Sequence, residues 1–152
     1  PIPTVTYDEA VESALCFGWI DGQKAAHDET HFLQRFTPRR AKSGWSKVNR
    51  AKAEALMAAG RMRPAGLLHV ERAKADGRWD AAYDSARTIT MPPDFAAALD
   101  EQPAARAFFA TLDSNNRYAF LRRIQIATTA QTRARRIQQF VAMLTAGQKL
   151  HQ

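Results

Sequence analysis

A chain of 152 residues with a formal net charge of +7 suits one compact domain or two small ones sharing a core, and favours anionic partners. Its single cysteine, Cys16, excludes an internal disulfide and suits a reducing compartment. No apolar run reaches the about 18 residues of a spanning helix and no signal peptide is legible, so a cytoplasmic location is expected.

Thr6-x-x-Glu9 is a capping box and predicts a helix from Tyr7 to Phe17, with Ala10, Val11, Ala14, Leu15 and Phe17 on its apolar face and Gly18 just past its end. After Gly22, residues 23–37 read as a hairpin around Asp28-Glu29, with Phe32 and Phe36 at strand spacing and Pro38 as the stop. A second helix is predicted from Ser46 to Gly60, and a third from Pro64 to near Gly77. Residues 79–90 show no period and read as a link between an N-terminal α+β part (1–90) and a helical module (91–152). Pro92-Pro93 opens a fourth helix through Leu99, and Pro103 a fifth through Leu112. Asp113-Ser114-Asn115-Asn116 is a turn and cap cluster before a sixth helix carrying Tyr118, Leu121 and Ile124. Thr128-Thr129 interrupts, and Ile137, Phe140, Val141 and Leu144 then form the apolar stripe of the last helix, which stops at Gly147. The fold class is α+β, mainly α-helical: helix, small hairpin and two helices, followed by a four-helix module.

Charge falls in blocks. Residues 1–34 carry one Lys and six acids, and residues 35–63 carry nine Lys or Arg against Glu54 alone. Residues 64–113 hold five bases and eight acids, and from Ser114 onward there are six Arg and Lys149 but no Asp or Glu. Such blocks predict basic surfaces rather than uniform basicity.

Long motifs lie along the chain. They are Tyr7-Asp8-Glu9-Ala10-Val11-Glu12, Phe17-Gly18-Trp19-Ile20-Asp21-Gly22, Arg35-Phe36-Thr37-Pro38-Arg39-Arg40, Trp45-Ser46-x-x-Asn49 and Gly60-Arg61-Met62-x-Pro64-Ala65-Gly66. Gly77-Arg78-Trp79, Pro93-Asp94-Phe95, Ala98-Leu99 and Thr132-Arg133-x-x-Arg136-Ile137 follow. Together they resemble the YdeI/OmpD-associated family, labelled bacteriocin-protection proteins. The resemblance implies a link with protection against bacteriocins or antimicrobial peptides, and an earlier segment with Trp-Leu and Lys-Lys pairs ahead of Tyr7. It implies no catalytic residues.

The charge pattern itself points to anion binding. Arg133, Arg135 and Arg136 fall in or near the first turn of the last helix, and Arg39, Arg40, Lys42 and Lys47 crowd the start of the second. Cations at a helix N-terminus oppose its dipole, whereas free N–H groups beside arginine forks suit a phosphate or carboxylate. Arg39, Arg40, Arg133 and Arg136 are therefore the candidate anion-binding residues, with Trp19, Asp21 and Trp45 flanking a cleft. The opposing reading is that acids elsewhere in the chain pair with these arginines inside the fold.

Other constellations are weaker. Trp19, Trp45 and Trp79 could stack nucleic-acid bases, but Trp more often belongs to a core. Asp21 could serve as a base with Asp8 or Glu12, or cap a turn. His27 and His31 lack a third metal ligand, and a hairpin turn suits them better. Cys16, between Leu15 and Phe17, reads as buried and inert. Ser43 and Ser46 read as caps of the second helix. The amine of Pro1 would be a nucleophile only at a true N-terminus. The expectation is a binding or stress-protection protein, with no cofactor or metal and a small anion or phosphate-bearing ligand as its partner. The alternatives are a nucleic-acid binder, or an enzyme with a cleft around Trp19, Asp21 and Arg39.

Overall fold

The computed structural model describes residues 4–151, so the Pro1 amine lies outside it. Among the described residues there are seven helices and one two-stranded antiparallel hairpin, the mainly helical α+β class that the sequence predicts. Contacts divide the chain into a unit that ends at Trp79 and a second that begins at Asp80.

The first unit starts with α1 (Tyr7–Cys16). Thr6 Oγ1 accepts from the Glu9 amide at 3.2 Å and the Glu9 carboxylate accepts from the Thr6 amide at 2.8 Å, a reciprocal cap worth about 1 kcal/mol. Gly18, at φ +76°, turns the chain into β1 (Trp19–Ala26). β1 pairs with β2 (Phe32–Pro38) in the register Trp19↔Pro38 to Ala26↔Phe32, with a bulge between Asp21 and Lys24. Gln34 Nε2 donates to the carbonyls of Gly22 at 3.1 Å and Gln23 at 3.3 Å, which the bulge removes from the ladder. The first strand therefore begins four residues before the predicted start at Gln23, because Gly22 lies within the strand and not in a turn.

Helices α2 (Lys47–Ala58) and α3 (Pro64–Ala75) pack against α1. Lys52 of α2 reaches Asp8 at 3.3 Å and Glu12 at 4.0 Å, and Arg61 reaches Glu12 at 3.0 Å. Acids of the first charge block thus neutralise two cations of the second. α3 meets α1 at backbone distance: a Cβ on Gly66 would lie 2.4 Å from the carbonyl oxygen of Cys16. Ser46 caps α2 by accepting from the Asn49 amide at 3.1 Å. Ser43 does not share that role; its hydroxyl accepts from the Arg40 amide at 3.1 Å.

The second unit comprises α4 (Pro93–Asp100), α5 (Pro103–Thr111), α6 (Ser114–Gln125) and α7 (Ala130–Thr145). Its core is a run of edge-on phenylalanines, Phe95–Phe109–Phe120–Phe140, with ring centroids 5.7, 6.3 and 5.1 Å apart. Leu99, Ile124 and Leu144 pack into the same cluster. Such aromatic pairs add about 0.5–1.5 kcal/mol each beyond the area they bury. Asp113 caps α6 through the Asn116 amide at 2.7 Å, and Thr129 caps α7 through the Thr132 amide at 3.1 Å. The predicted link over 79–90 has its own anchor in this unit. The Asp84 amide donates to Gln125 Oε1 at 3.0 Å and the Tyr118 hydroxyl donates to the Asp84 carbonyl at 3.1 Å.

Candidate anion-binding site

The arginines singled out in the sequence fall into two groups, each explained by its own surroundings. In the first unit, Arg39 follows β2 and is 5% exposed. Its guanidinium lies 3.7 Å from the Trp45 ring centroid, and Nη2 donates to the Gly44 carbonyl at 2.6 Å. Trp45, 1% exposed, meets Trp79 edge-on at 4.9 Å. This stack belongs to the interior: Arg39 is held as a flat, desolvated cation against an aromatic face. Arg40, the next residue, is exposed.

The remaining cleft residues of the first unit are separated in role. Trp19 stands 42% exposed at the start of β1, opposite Pro38. Asp21 sits within β1 opposite Phe36 and accepts from the Tyr7 hydroxyl at 3.0 Å, so it does not cap a turn. Burial, and then the Asp21 carboxylate, pushes the Tyr7 phenol up to about 12. His31 Nδ1 lies 3.0 Å from Asp28 in the hairpin turn. Among the described residues, no group of three or more His, Cys, Asp or Glu is placed to hold a metal. His69 packs over Gly18; burial, then Arg39, Arg72 and Arg78, hold its imidazole below the usual value.

In the second unit four residues separate the end of α6 from the start of α7, and the first turns of α7 lie beside the carbonyl end of α6. Arg133 uses this placement fully. Nε and Nη2 grip Asp94 at 2.6 and 2.8 Å, and Nη1 donates to the Ile124 carbonyl at 3.3 Å. The bidentate pair holds the Asp94 carboxyl below its ordinary range. Arg136 donates to the Arg123 carbonyl in the same last turn. Both side chains therefore stabilise the negative end of the α6 dipole as well as sitting early in α7. Arg133 is neutralised by Asp94; Arg136 is not neutralised by any carboxylate among the described residues. Burial first, and then Arg135 and Arg123, lower the Arg136 pKa. Arg123 Nη1 is buried without a hydrogen-bond partner.

A pocket of about 440 Å³ adjoins this corner along α6, lined by Asn115, Tyr118, Ala119, Arg122, Arg123 and His151. The spacing of its α6 residues, i, i+3, i+4, i+7 and i+8, is that of one helical face. The Tyr118 hydroxyl is committed to Asp84, and the Arg122 guanidinium lies 4.1 Å from the Tyr83 ring centroid. His151 is brought there by Asn116, which is 2% exposed. Asn116 Oδ1 accepts from the Leu150 amide at 3.2 Å and the His151 amide at 2.9 Å. The sequence reads Asn115 as part of a cap cluster, Tyr118 as a position of the sixth helix and Arg122 as part of the basic block after Ser114, and gives His151 no role.

Comparison with known families divides the chain similarly. Residues 88–147 match the family described as "Bacteriocin-protection, YdeI or OmpD-Associated", and residues 1–69 match a domain of unknown function, DUF8412. The motifs before residue 70 thus match a separate domain description. No curated protein and no solved structure matches the chain. Among the described residues, no helix is long and apolar enough to cross a membrane.

Proposed function

We propose that the chain, whose residues 88–147 match the YdeI- or OmpD-associated bacteriocin-protection family, is a non-enzymatic binding protein of stress or bacteriocin protection. It acts by holding anions on the basic surface of its second unit. The observation that carries this reading is the crowding of Arg123, Arg135 and Arg136. Like charges brought together cost free energy, and that cost persists unless a counter-charge is supplied. Here Arg136 donates to the Arg123 carbonyl, and burial first, then Arg135 and Arg123, disfavour its charge. A bound anion restores the balance by charge-assisted hydrogen bonds.

The test is a titration of the intact chain with a labelled single-stranded oligonucleotide, inorganic phosphate and a mononucleotide at two salt concentrations. At least one anion binds, and Arg135→Gln weakens binding of the oligonucleotide several-fold. A polymeric anion further shows steep salt dependence, with a slope reduced by about one in the variant. Arg135 is exposed, so its replacement spares the fold. The reading fails if no anion binds; Arg135→Gln leaving oligonucleotide binding unchanged removes Arg135 from the binding surface.

A further inference from the structure

We infer that the pocket along α6 is a discrete site for a small phosphomonoester, an assignment that rests on the anion-binding reading and narrows it to one place and one ligand class. The pocket, at about 440 Å³, lies within the size range of small-molecule sites. Its lining divides by chemistry. Arg122 and Arg123 supply guanidinium donors, and His151 offers at least one ring N–H in either protonation state. Tyr118 and Ala119 supply apolar surface for the carrier of the phosphate, while the Asn115 amide offers donors and an acceptor to its hydroxyls. Among the described residues, no carboxylate lines the pocket.

Two independent features preorganise it. Tyr118 and Arg122 are fixed from behind, the first by its bond to Asp84 and the second by the Tyr83 ring. His151 is held by the main-chain bonds to buried Asn116. Arg123 Nη1 is buried yet has no acceptor, a cost that a phosphate oxygen bound to this side chain would offset. A phosphate dianion suits paired arginine forks better than a singly charged carboxylate does.

The experiment is calorimetric titration of the intact chain with AMP, glucose 6-phosphate and inorganic phosphate, alongside the labelled oligonucleotide. It compares the parent with Arg122→Gln, Asn115→Asp and Arg135→Gln. At least one ester binds saturably and more tightly than inorganic phosphate. Arg122→Gln weakens it about tenfold, as loss of one charge-assisted contact predicts, and Asn115→Asp does so by adding a like charge at an exposed rim position. Arg135→Gln leaves ester binding unchanged. Oligonucleotide binding through Arg135 with no ester binding overturns the pocket assignment and leaves the surface reading standing. Inorganic phosphate binding as tightly as both esters overturns the ester class. Silence of all four ligands overturns both readings. Asn115 is exposed, so its variant decides the matter even if Arg122→Gln fails to fold.

Discussion

Arg136 donates from Nη1 to the main-chain carbonyl of Arg123, so the bond that ties α7 to the end of α6 also keeps two guanidinium groups within each other's field. The contact is favourable as a hydrogen bond to a helix C-terminus and unfavourable as a meeting of cations. Salt separates the two effects because it screens the repulsion more than the short contact.

Raising NaCl from about 20 to about 200 mM is therefore expected to stabilise the protein, raising Tm by about 2–4 °C, the equivalent of about 0.5–1 kcal/mol. Arg135→Gln should flatten that dependence. Differential scanning fluorimetry of both proteins across the salt series decides it; equal slopes would show that the crowding has no energetic weight.

Arg133→Ala and Asp94→Ala should each cost about 1–2 kcal/mol in urea unfolding. Their double-mutant coupling should be about 0.5–1 kcal/mol, since both groups are partly solvated and screened. The pH dependence has a definite sign. The folded carboxyl of Asp94 titrates below its usual 3.8, so the contribution is present above that value and is lost as pH falls below it. Asp94→Asn should remove that part of the acid sensitivity.

Gly66→Ala should cost more than 3 kcal/mol or prevent folding of the first unit. Its Cβ would fall 2.4 Å from the Cys16 carbonyl and 2.7 Å from that of Leu15, and neither is a flexible side-chain end. By contrast, Gly60→Ala meets no atom within 4 Å and is strained only by its φ of +65°, for about 1 kcal/mol. Chemical denaturation of the two variants gives the ranking, and a milder Gly66 variant would sink the close-contact account.

His69 gives a second pH window. Burial and three nearby arginines disfavour the imidazolium in the folded state, so the unfolded chain binds more protons as pH falls below the ordinary 6.5. Stability should decline from that value down through the depressed folded pKa and then level off. An NMR titration of the His69 ring should show the low midpoint, and His69→Gln should abolish the step.

Much of this fold is legible in the sequence because its punctuation is local. Pro93, Pro103, Asp113 and Thr129 each mark a helix start by a backbone rule that needs no distant partner. β1 was harder: the sequence starts the hairpin only after Gly22, yet Gly22 sits at a bulge whose carbonyls are satisfied by Gln34 from the other strand. The site was less legible for the same reason. Arg133 and Arg136 stand out as cations early in a helix, but what they serve is the end of the preceding helix, a relation fixed by the chain reversal. His151 has no local signal at all, because its position depends on Asn116, thirty-five residues earlier.

That dependence has a practical side. With the Asn116 carboxamide gripping the main chain at Leu150 and His151, anything joined beyond this point begins at the mouth of the α6 pocket. An oligohistidine handle placed there would set further imidazoles beside Arg122 and Arg123 and compete for, or imitate, the ligand. Binding data from protein carrying a handle joined after His151 need a control from which the handle has been cleaved.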